Sequence, residues 1–423
     1  MFPTLAYAGM SHLGLNSAAA AAEKGFNVLC FDQDTRLIQQ LKLGNLPIAE
    51  EGLADAISKN SDRIQFSSQA TDLGTRDLIY ISLDIATDHS GLSDLSELQI
   101  LLDHIAPHIR NDAVQVILSQ VPPGFTRRQN SENCILYYQV ETLIFGEALN
   151  RALYPERIII GCPGSESPLP DALRKFIDSF NCPILPMQYE NAELTKIAIN
   201  CCLVASVSTA NTLSELCENI GADWGEILPA LRLDKRIGEH AYLKPGLGIS
   251  GGNLERDLAT VTELAKEYGT DSGVVESWVS NSHHRKRAII DLVNSRILPH
   301  NPKPKLAIWG LAYKENTHST KNSAAIVTIE ALLQCQISVH DPAVSSISLN
   351  HSQLTQVSYP LDALPDADAL IIMTPWKEYR DISLSNISNI LKGKILIDPF
   401  RIMDPAEVKS EGLEYYTLGM AKN

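Results

Sequence analysis

Short apolar runs alternate with longer amphipathic stretches through the first half of the chain, a pattern typical of a parallel sheet with crossover helices. The runs that predict strands are residues 5–8, 27–31, 78–82, 114–118 and 158–161. Between the first two runs, the alanine-rich stretch 13–24 predicts a helix that ends at Gly25. The first half is therefore expected to form a doubly wound domain.

From about residue 190 to residue 220 the pattern changes to one long helix that contains no Gly or Pro. Apolar residues recur at helical spacing along one predicted stripe, which consists of Leu194, Ile197, Ala198, Cys201, Val204 and Ala205. We expect so long a helix to link two domains and to pack against a second subunit. Helical patterns continue to about residue 294.

The segment 299–304, PHNPKP, is a proline-rich linker and marks a predicted domain boundary. After it, residues 305–309, 337–340, 369–373 and 394–397 predict the strands of a second α/β domain. The expected fold class is α/β, with two Rossmann-like doubly wound domains joined by a central helical region. The predicted domains are residues 1–188, 189–298 and 299–423.

The amino-acid composition argues against two classes of binding partner. The net charge of −15 and the pI near 5.2 argue against nucleic acid or an anionic membrane as a general partner. We find neither a signal peptide nor a segment long and apolar enough to span a bilayer, and predict a cytoplasmic protein. The eight cysteines have no metal-site spacing and are expected to be buried free thiols.

The loop between the first strand and the first helix has the position of a dinucleotide fingerprint. Gly9 and Gly14 supply the first and last glycines, Met10, Ser11, His12 and Leu13 lie between them, and Ser11 replaces the middle glycine. Asp32, 23 residues after Gly9, can hydrogen-bond the ribose hydroxyls and repel a 2′-phosphate, which favours NAD over NADP. The alternative is a doubly wound domain that no longer binds nucleotide.

Several blocks along nearly the whole chain resemble one enzyme family. They are GNLPIAEEGL at 44–53, SQVPPG at 119–124, AELTK at 192–196 followed by Asn200, DKRIG at 234–238, YLKPGLGISGGNLERD at 242–257, GLAYK at 310–314, Asp341-Pro342, and TPW at 374–376. In this order they resemble the UDP-glucose/GDP-mannose dehydrogenase family. Members oxidise C6 of a nucleotide sugar from alcohol to carboxylate with two NAD.

The resemblance implies roles for individual residues. It places catalytic groups at Lys196, Asn200, Asp257 and Glu141, and puts Asn253 where the family has a nucleophilic cysteine. It implies that substrate is bound by Lys196, Asn200, Gly251 and Lys314, and that cofactor is bound by the 9–14 loop with Asp32, Gln120 and Lys321. Lys196 and Asn200 are four residues apart, hence on one helix face. The substrate is expected to be UDP- or GDP-linked, and the assembly a homodimer or higher homo-oligomer.

The chain departs from the family pattern at the thiol and around the cofactor. The departures are Ser11, Leu83-Asp84-Ile85-Ala86 in place of a V-P-T-P-like stretch, Gln120 for threonine, Phe145 for a second glutamate, Asn253 for cysteine, and Lys321 for arginine. A carboxamide cannot form the covalent adduct that a thiolate forms with an aldehyde. One hypothesis is therefore an NAD-dependent oxidoreductase restricted to the alcohol–aldehyde step, or using another group in place of the thiol.

Two other hypotheses remain open. The chain can instead be a non-catalytic paralogue that binds nucleotide sugar or NAD and regulates or assembles with an active partner. An ordinary two-step dehydrogenase would need a rescuing nucleophile, and Cys201 and Cys202 do not lie in the matching loop.

Overall fold

The structure is a computed structural model that describes residues 2–87, 91–129, 136–164, 167–344 and 349–421. Its contacts divide the chain into two compact units, Met1–Ile199 and Asn200–Asn423. The predicted three-domain division is not tested by this partition and stays a prediction. Cys134 lies outside the described residues.

The first unit is built on a mixed sheet. Its strands are β1 (Leu5–Ala8), β2 (Val28–Phe31), β3 (Ile64–Ser67), β4 (Leu78–Ile81), β5 (Ala86–Thr87), β6 (Ser93–Asp94), β7 (Val114–Ile117), β8 (Leu136–Gln139), β9 (Ile158–Cys162) and β10 (Ile184–Gln188). Eight of them form a sheet of order β10-β9-β8-β7-β4-β1-β2-β3, and β5 pairs with β6 in a separate hairpin. All neighbours in the large sheet are parallel except β8 and β9. The order reverses between β1 and β4, which is where doubly wound sheets bind ligands.

Helices cover the first sheet. They are α1 (His12–Glu23), α2 (Thr35–Lys42), α3 (Leu53–Lys59), α4 (Ser96–Ile105), α5 (Phe125–Gln129), α6 (Ala148–Leu153) and α7 (Asp171–Asp178). The alanines of α1 are buried, because small side chains let this helix lie close to the sheet. Separate apolar cores on the two sides of the sheet contain Tyr7 and Tyr80 on one side and Ile79 and Ile81 on the other, as alternation along a strand requires.

The long helix α8 (Tyr189–Ile220) leads from the first unit into the second, where α9 (Trp224–Leu233), α10 (Asn253–Tyr268), α11 (Gly273–Lys286) and α12 (Ala288–Arg296) follow. The second unit also contains β11 (Lys305–Trp309), α13 (Ala324–Ala331), β12 (Gln336–His340), β13 (Leu354–Gln356), β14 (Ala369–Ile372), α14 (Lys377–Arg380), α15 (Leu384–Ile390), β15 (Ile395–Ile397), α16 (Pro405–Ser410) and β16 (Glu414–Tyr416).

The second sheet is parallel throughout and has the Rossmann order β13-β12-β11-β14-β15-β16. Ile289, Ile290 and Val293 of α12 belong to the same apolar core as its strands. The predicted fold class, two doubly wound domains with a central helical region, is confirmed.

The buried face of α8 differs from the predicted apolar stripe. Leu194 and Ala198 are exposed, whereas Glu193, Lys196 and Asn200 are buried on the same helix. Glu193 explains part of this, because its carboxylate accepts hydrogen bonds from the backbone N–H groups of Gly124 and Thr126. On this face of α8, hydrogen-bonded polar side chains take the place of apolar packing.

Two expectations about bulk properties were wrong in part. By length and composition, α8 is apolar enough to cross a membrane, contrary to the expectation that no segment is. A core helix of a soluble protein passes the same test, and α8 holds a buried, hydrogen-bonded Glu193. Cys202 is exposed, although buried thiols were expected, while Cys30, Cys162 and Cys217 are buried.

Candidate functional site

The loop between β1 and α1 has the close packing that a dinucleotide fingerprint requires. Gly9 has φ +100° and lies against Leu83, where a Cβ would come within 2.8 Å of that side chain. A Cβ on Gly14 would lie 1.9 Å from the carbonyl oxygen of Gly9, so only glycine lets α1 approach the strand so closely. One oxygen of Asp32 accepts the Met10 N–H at 2.8 Å, which fixes the carboxylate at the end of β2. These residues fit an adenosine ribose and a pyrophosphate at the N-terminus of α1.

Ser11, at the place of the family's middle glycine, points its hydroxyl into the protein. The Ser11 Oγ donates to the carbonyl oxygen of Ser82 at 2.9 Å and accepts from the backbone N–H of Asp84 at 3.1 Å. In the V-P-T-P-like family stretch the position of Asp84 is a proline, which has no N–H. Ser11 and Asp84 are thus two departures joined by one hydrogen bond.

His12 and Phe145 form a second joined pair of residues. The two rings stack with centroids 4.0 Å apart, and Phe145 stands where the family has a glutamate. His12 Nε2 lies 2.8 Å from Glu50 Oε2, a fully buried carboxylate. Glu50 also accepts the backbone N–H groups of Gly146 and Ala148, which holds the loop that carries Phe145. The aromatic ring therefore packs on the cofactor loop.

Lys196 and Glu141 form an ion pair in the first unit. Lys196 Nζ lies 3.3 Å from Glu141 Oε2, and both side chains are mostly buried. The Glu141 carboxylate also accepts the backbone N–H of Leu143. In low-dielectric surroundings such a pair is held firmly in one geometry. Gln120, in the loop after β7, is also buried, and it directly precedes Val121 and Pro122 in the sequence.

In the second unit, Asn200 and Asp257 are hydrogen-bonded. Asn200 Nδ2 donates to Asp257 Oδ2 at 2.5 Å, and Asp257 is 2% exposed. The neighbouring thiol of Cys201 is half-buried; burial and, secondarily, the charge of Asp257 raise its pKa to about 11. At neutral pH this thiol stays protonated and is a poor nucleophile. Cys201 is therefore unsuited to replace the missing cysteine.

Asn253 is exposed at the first position of α10, one helical turn before Asp257. The preceding Gly251 has φ +79°, and a Cβ there would lie 3.1 Å from the Tyr313 ring. Asn322 donates to the Gly251 carbonyl oxygen at 2.9 Å, and the Gly251 N–H donates to the Lys321 carbonyl oxygen at 3.0 Å. The loop that presents residue 253 is thus fixed to the segment that carries Lys321.

Lys321 and Lys314 lie in the same part of the second unit. The Lys321 side chain is exposed and would be 3.4 Å from a Cβ on Gly252. The Lys314 ammonium lies 5.9 Å from the centre of the Tyr313 ring. Two cations beside a glycine loop favour binding of an anionic group. Within the described ranges, no group of three or more His, Cys, Asp or Glu could hold a metal ion.

The structure joins the sequence-predicted residues in small sets within each unit. In the first unit these are the 9–14 loop with Asp32, and Lys196 with Glu141; in the second they are Asn200 with Asp257, and Gly251 with Lys321. Sequence reasoning did not single out Glu50 or Asn322. Glu50 belongs to the GNLPIAEEGL block at 44–53 and could have been found there. Nothing in the sequence marks Asn322 as a residue of the site.

We expect Ser11 and Asp84 to act as a pair in NAD binding. Removing the hydroxyl in Ser11→Ala should weaken NAD binding by about fivefold, since a neutral hydrogen bond contributes on the order of 1 kcal/mol. With Asp84→Pro already present, the same change should cost distinctly less, because the N–H that Ser11 accepts is gone. Calorimetric NAD titration of the wild type, both single variants and the double variant measures this coupling. Equal effects in both backgrounds would show that the two residues are independent.

Comparison with known proteins agrees with this geometry. Three descriptions of the UDP-glucose/GDP-mannose dehydrogenase family match in chain order: the NAD binding domain at residues 4–176, the central domain at 190–283, and the UDP binding domain at 307–405. The UDP-glucose 6-dehydrogenase of Rickettsia bellii is 30% identical, over 98% of this chain and 99% of that protein. One from Bacillus subtilis is 28% identical, over 98% of this chain and 93% of its own length.

Solved structures show the same architecture. The UDP-glucose dehydrogenase of the archaeon Pyrobaculum islandicum superposes with a TM-score of 0.86 at 25% identity, covering 100% of this chain and 98% of that one. A UDP-D-ManNAc dehydrogenase from Pyrococcus horikoshii has the same TM-score at 20% identity, over 99% and 100% of the two chains, which supports the fold alone. With all three domains matched, the chain belongs to the UDP-glucose/GDP-mannose dehydrogenase family of NAD-dependent nucleotide-sugar dehydrogenases, and its cofactor is NAD.

Proposed function

We propose that this protein oxidises the C6 alcohol of a nucleotide sugar to the aldehyde with one NAD and stops there. A UDP-linked sugar is the first candidate, because residues 307–405 match a UDP binding domain and the relatives above are UDP-sugar enzymes. The proposal includes a cytoplasmic homodimer, as expected from the long helix and from the sequence.

One observation carries the proposal: two departures from the family pattern in the first unit, Ser11 and Phe145, contact another departure or the cofactor loop. Ser11 bonds the N–H of Asp84, and Phe145 stacks on His12 of the cofactor loop. Substitutions that accumulate without function have no reason to form mutual contacts around one loop. Joined pairs instead support a cofactor site that has been rebuilt and still binds NAD.

The retained polar pairs support chemistry on the alcohol. When bound, NAD supplies the acceptor for the hydride that leaves C6. The Lys196 ammonium stabilises negative charge that develops on the C6 oxygen as its proton departs, and Glu141 holds that ammonium in position. Asp257, oriented by Asn200, holds the water that takes up the hydroxyl proton. These roles need no thiol.

The second oxidation does need a covalent adduct in the family route, and residue 253 is a carboxamide. The amide nitrogen of Asn253 is not nucleophilic, so no thiohemiacetal forms and the aldehyde is the product. Phe145 also removes the second family glutamate. Both changes remove groups that the family uses after the first hydride has left.

The test is to mix the protein with NAD together with one nucleotide sugar at a time, UDP- or GDP-linked, in the presence of hydroxylamine to trap the aldehyde. NADH formation with a trapped nucleotide-sugar oxime supports the proposal. Binding of nucleotide sugar without NADH formation, checked by calorimetry, would favour the alternative of a non-catalytic paralogue with a regulatory or scaffolding role.

A further inference from the structure

A small cavity lies within the first unit, on the side of the large sheet that α1, α6 and α7 cover. Its volume of about 60 Å³ has room for about two water molecules, at roughly 30 Å³ each, or for a molecule of about four non-hydrogen atoms. Much of its wall is apolar and buried, including Ala20, Leu118 and Phe176. A ligand in this cavity would be surrounded mainly by hydrocarbon.

Tyr7 on this wall is 2% exposed, and within the described ranges its hydroxyl makes no hydrogen bond. Burial raises the pKa of this phenol, so the hydroxyl stays protonated and neutral. Its oxygen still has accessible surface, unlike Asn16 Oδ1, an unpaired atom that the protein encloses completely. Because Tyr7 is otherwise buried and lines the cavity, this surface faces the cavity. A buried hydroxyl without a partner is costly, so the arrangement favours a ligand that supplies one.

Gln139 supplies a second unpaired donor on the same wall. Tyr7 and Tyr80 are paired positions of β1 and β4, and their rings stack with centroids 5.1 Å apart. The Tyr80 hydroxyl donates to Gln139 Oε1 at 2.8 Å, which leaves the Nε2 donor of that amide. In the part of the chain that the structure describes, Nε2 has no acceptor. The ligand therefore needs a hydrogen-bond acceptor.

The charged side chains on the wall indicate a neutral ligand. Glu141, Arg151 and Arg157 line the cavity, and each already has a partner of opposite charge. Glu141 Oε2 lies 3.3 Å from Lys196 Nζ, while Arg151 and Arg157 both pair with Glu156, at 3.3 and 3.1 Å. An ion would lose its hydration in the cavity without gaining an unpaired counter-charge among these described side chains.

We propose that this cavity binds a small neutral carbonyl compound, whose oxygen accepts hydrogen bonds from the Tyr7 hydroxyl and the Gln139 amide and whose hydrocarbon part packs against the apolar wall. A carbonyl oxygen has two lone pairs and so satisfies both donors. The volume suits a ketone or amide of about four non-hydrogen atoms and is too small for a sugar or a nucleotide. Of the residues with catalytic roles above, only Glu141 lines the cavity, and the inference does not rest on the proposed function.

The test is a ligand-observed NMR titration of the full-length protein with acetone and acetamide, and with acetate as the charged comparison ligand of the same size. We expect saturable binding of at least one neutral probe, with a dissociation constant in the millimolar range as suits so few atoms, and no binding of acetate. Tyr7→Phe, which removes only the hydroxyl, should weaken binding about fivefold. Tyr268→Phe, at an exposed tyrosine of the second unit, is the matched control and should leave binding unchanged.

Ala152→Leu adds three carbons to the cavity wall and is expected to abolish binding. Thermal unfolding checks that the variants fold. Tyr7→Phe should not lower the unfolding midpoint, because it removes no internal hydrogen bond, so it decides the matter even if Ala152→Leu fails to fold. Absence of saturable binding of both neutral probes overturns the proposal, and so does acetate that binds as tightly as acetamide. Binding that Tyr7→Phe or a folded Ala152→Leu leaves undiminished overturns it as well.

Discussion

Asn253→Cys is expected to convert the protein from an aldehyde producer into one that forms an acyl adduct on residue 253 and then releases carboxylate. The position is the first residue of α10, where the helix dipole lowers the pKa of a thiol and favours the thiolate. A thiolate adds to the aldehyde, and the adduct gives up a second hydride to NAD. The yield of NADH per sugar should rise from one towards two.

Mass spectrometry of the protein and of the released sugar measures this change. Because Phe145 replaces the second family glutamate, hydrolysis of the adduct should be slow, so a covalent mass increase counts as the predicted gain. Asn253→Ser is the matched control, since its hydroxyl is similar in size to a thiol and far less nucleophilic, and should yield aldehyde only. If Asn253→Cys yields neither adduct nor carboxylate while NAD binds normally, the proposed one-step enzyme is wrong.

Lys196→Met should slow NADH formation by about 10²–10³-fold, the usual loss when one group that stabilises a developing oxyanion is removed. Methionine keeps the length and removes the charge, and it leaves Glu141 without its ion-pair partner at 3.3 Å. NAD affinity should change little, because the cofactor loop does not involve Lys196. Initial rates of NADH absorbance with saturating nucleotide sugar give the value.

Lys59→Met provides the control for Lys196→Met, since Lys59 is an exposed lysine in the same unit whose ion pair with Glu23 lies on the surface. Its rate should stay within about twofold of the wild type, as expected for a surface pair. A Lys196→Met variant that retains a tenth or more of the wild-type rate would remove this lysine from the proposed mechanism.

The hydrophobic pattern predicted the architecture because it reports local burial. The strands expected at 5–8 and 305–309 match β1 and β11 residue for residue, and the helix expected at 190–220 is α8 within one residue. The pattern did not predict which face of α8 is buried, because Glu193 and Asn200 are buried with hydrogen-bond partners rather than by apolar packing. Periodicity alone cannot distinguish a buried polar face from a solvated one.

The candidate site could be predicted only as a set of motif positions. The bond between Ser11 and Asp84 joins residues 73 apart, and the stack of Phe145 on His12 joins residues still further apart. Taken singly along the sequence, these departures indicate a cofactor site that is either re-tuned or decaying. The contacts of Ser11 and Phe145 favour re-tuning, because the partner of each is also new or belongs to the cofactor loop.

The most direct measurement is the stoichiometry of the wild-type protein without a trapping reagent: moles of NADH formed per mole of nucleotide sugar consumed, with the sugar product identified by mass spectrometry in a parallel sample that contains hydroxylamine. The account predicts one NADH per sugar and recovery of the product as an oxime. Two NADH per sugar with a carboxylate product would contradict it by showing that another nucleophile completes the oxidation. If nucleotide sugar binds and no NADH forms, the account is also contradicted, because the protein then binds its ligand without oxidising it.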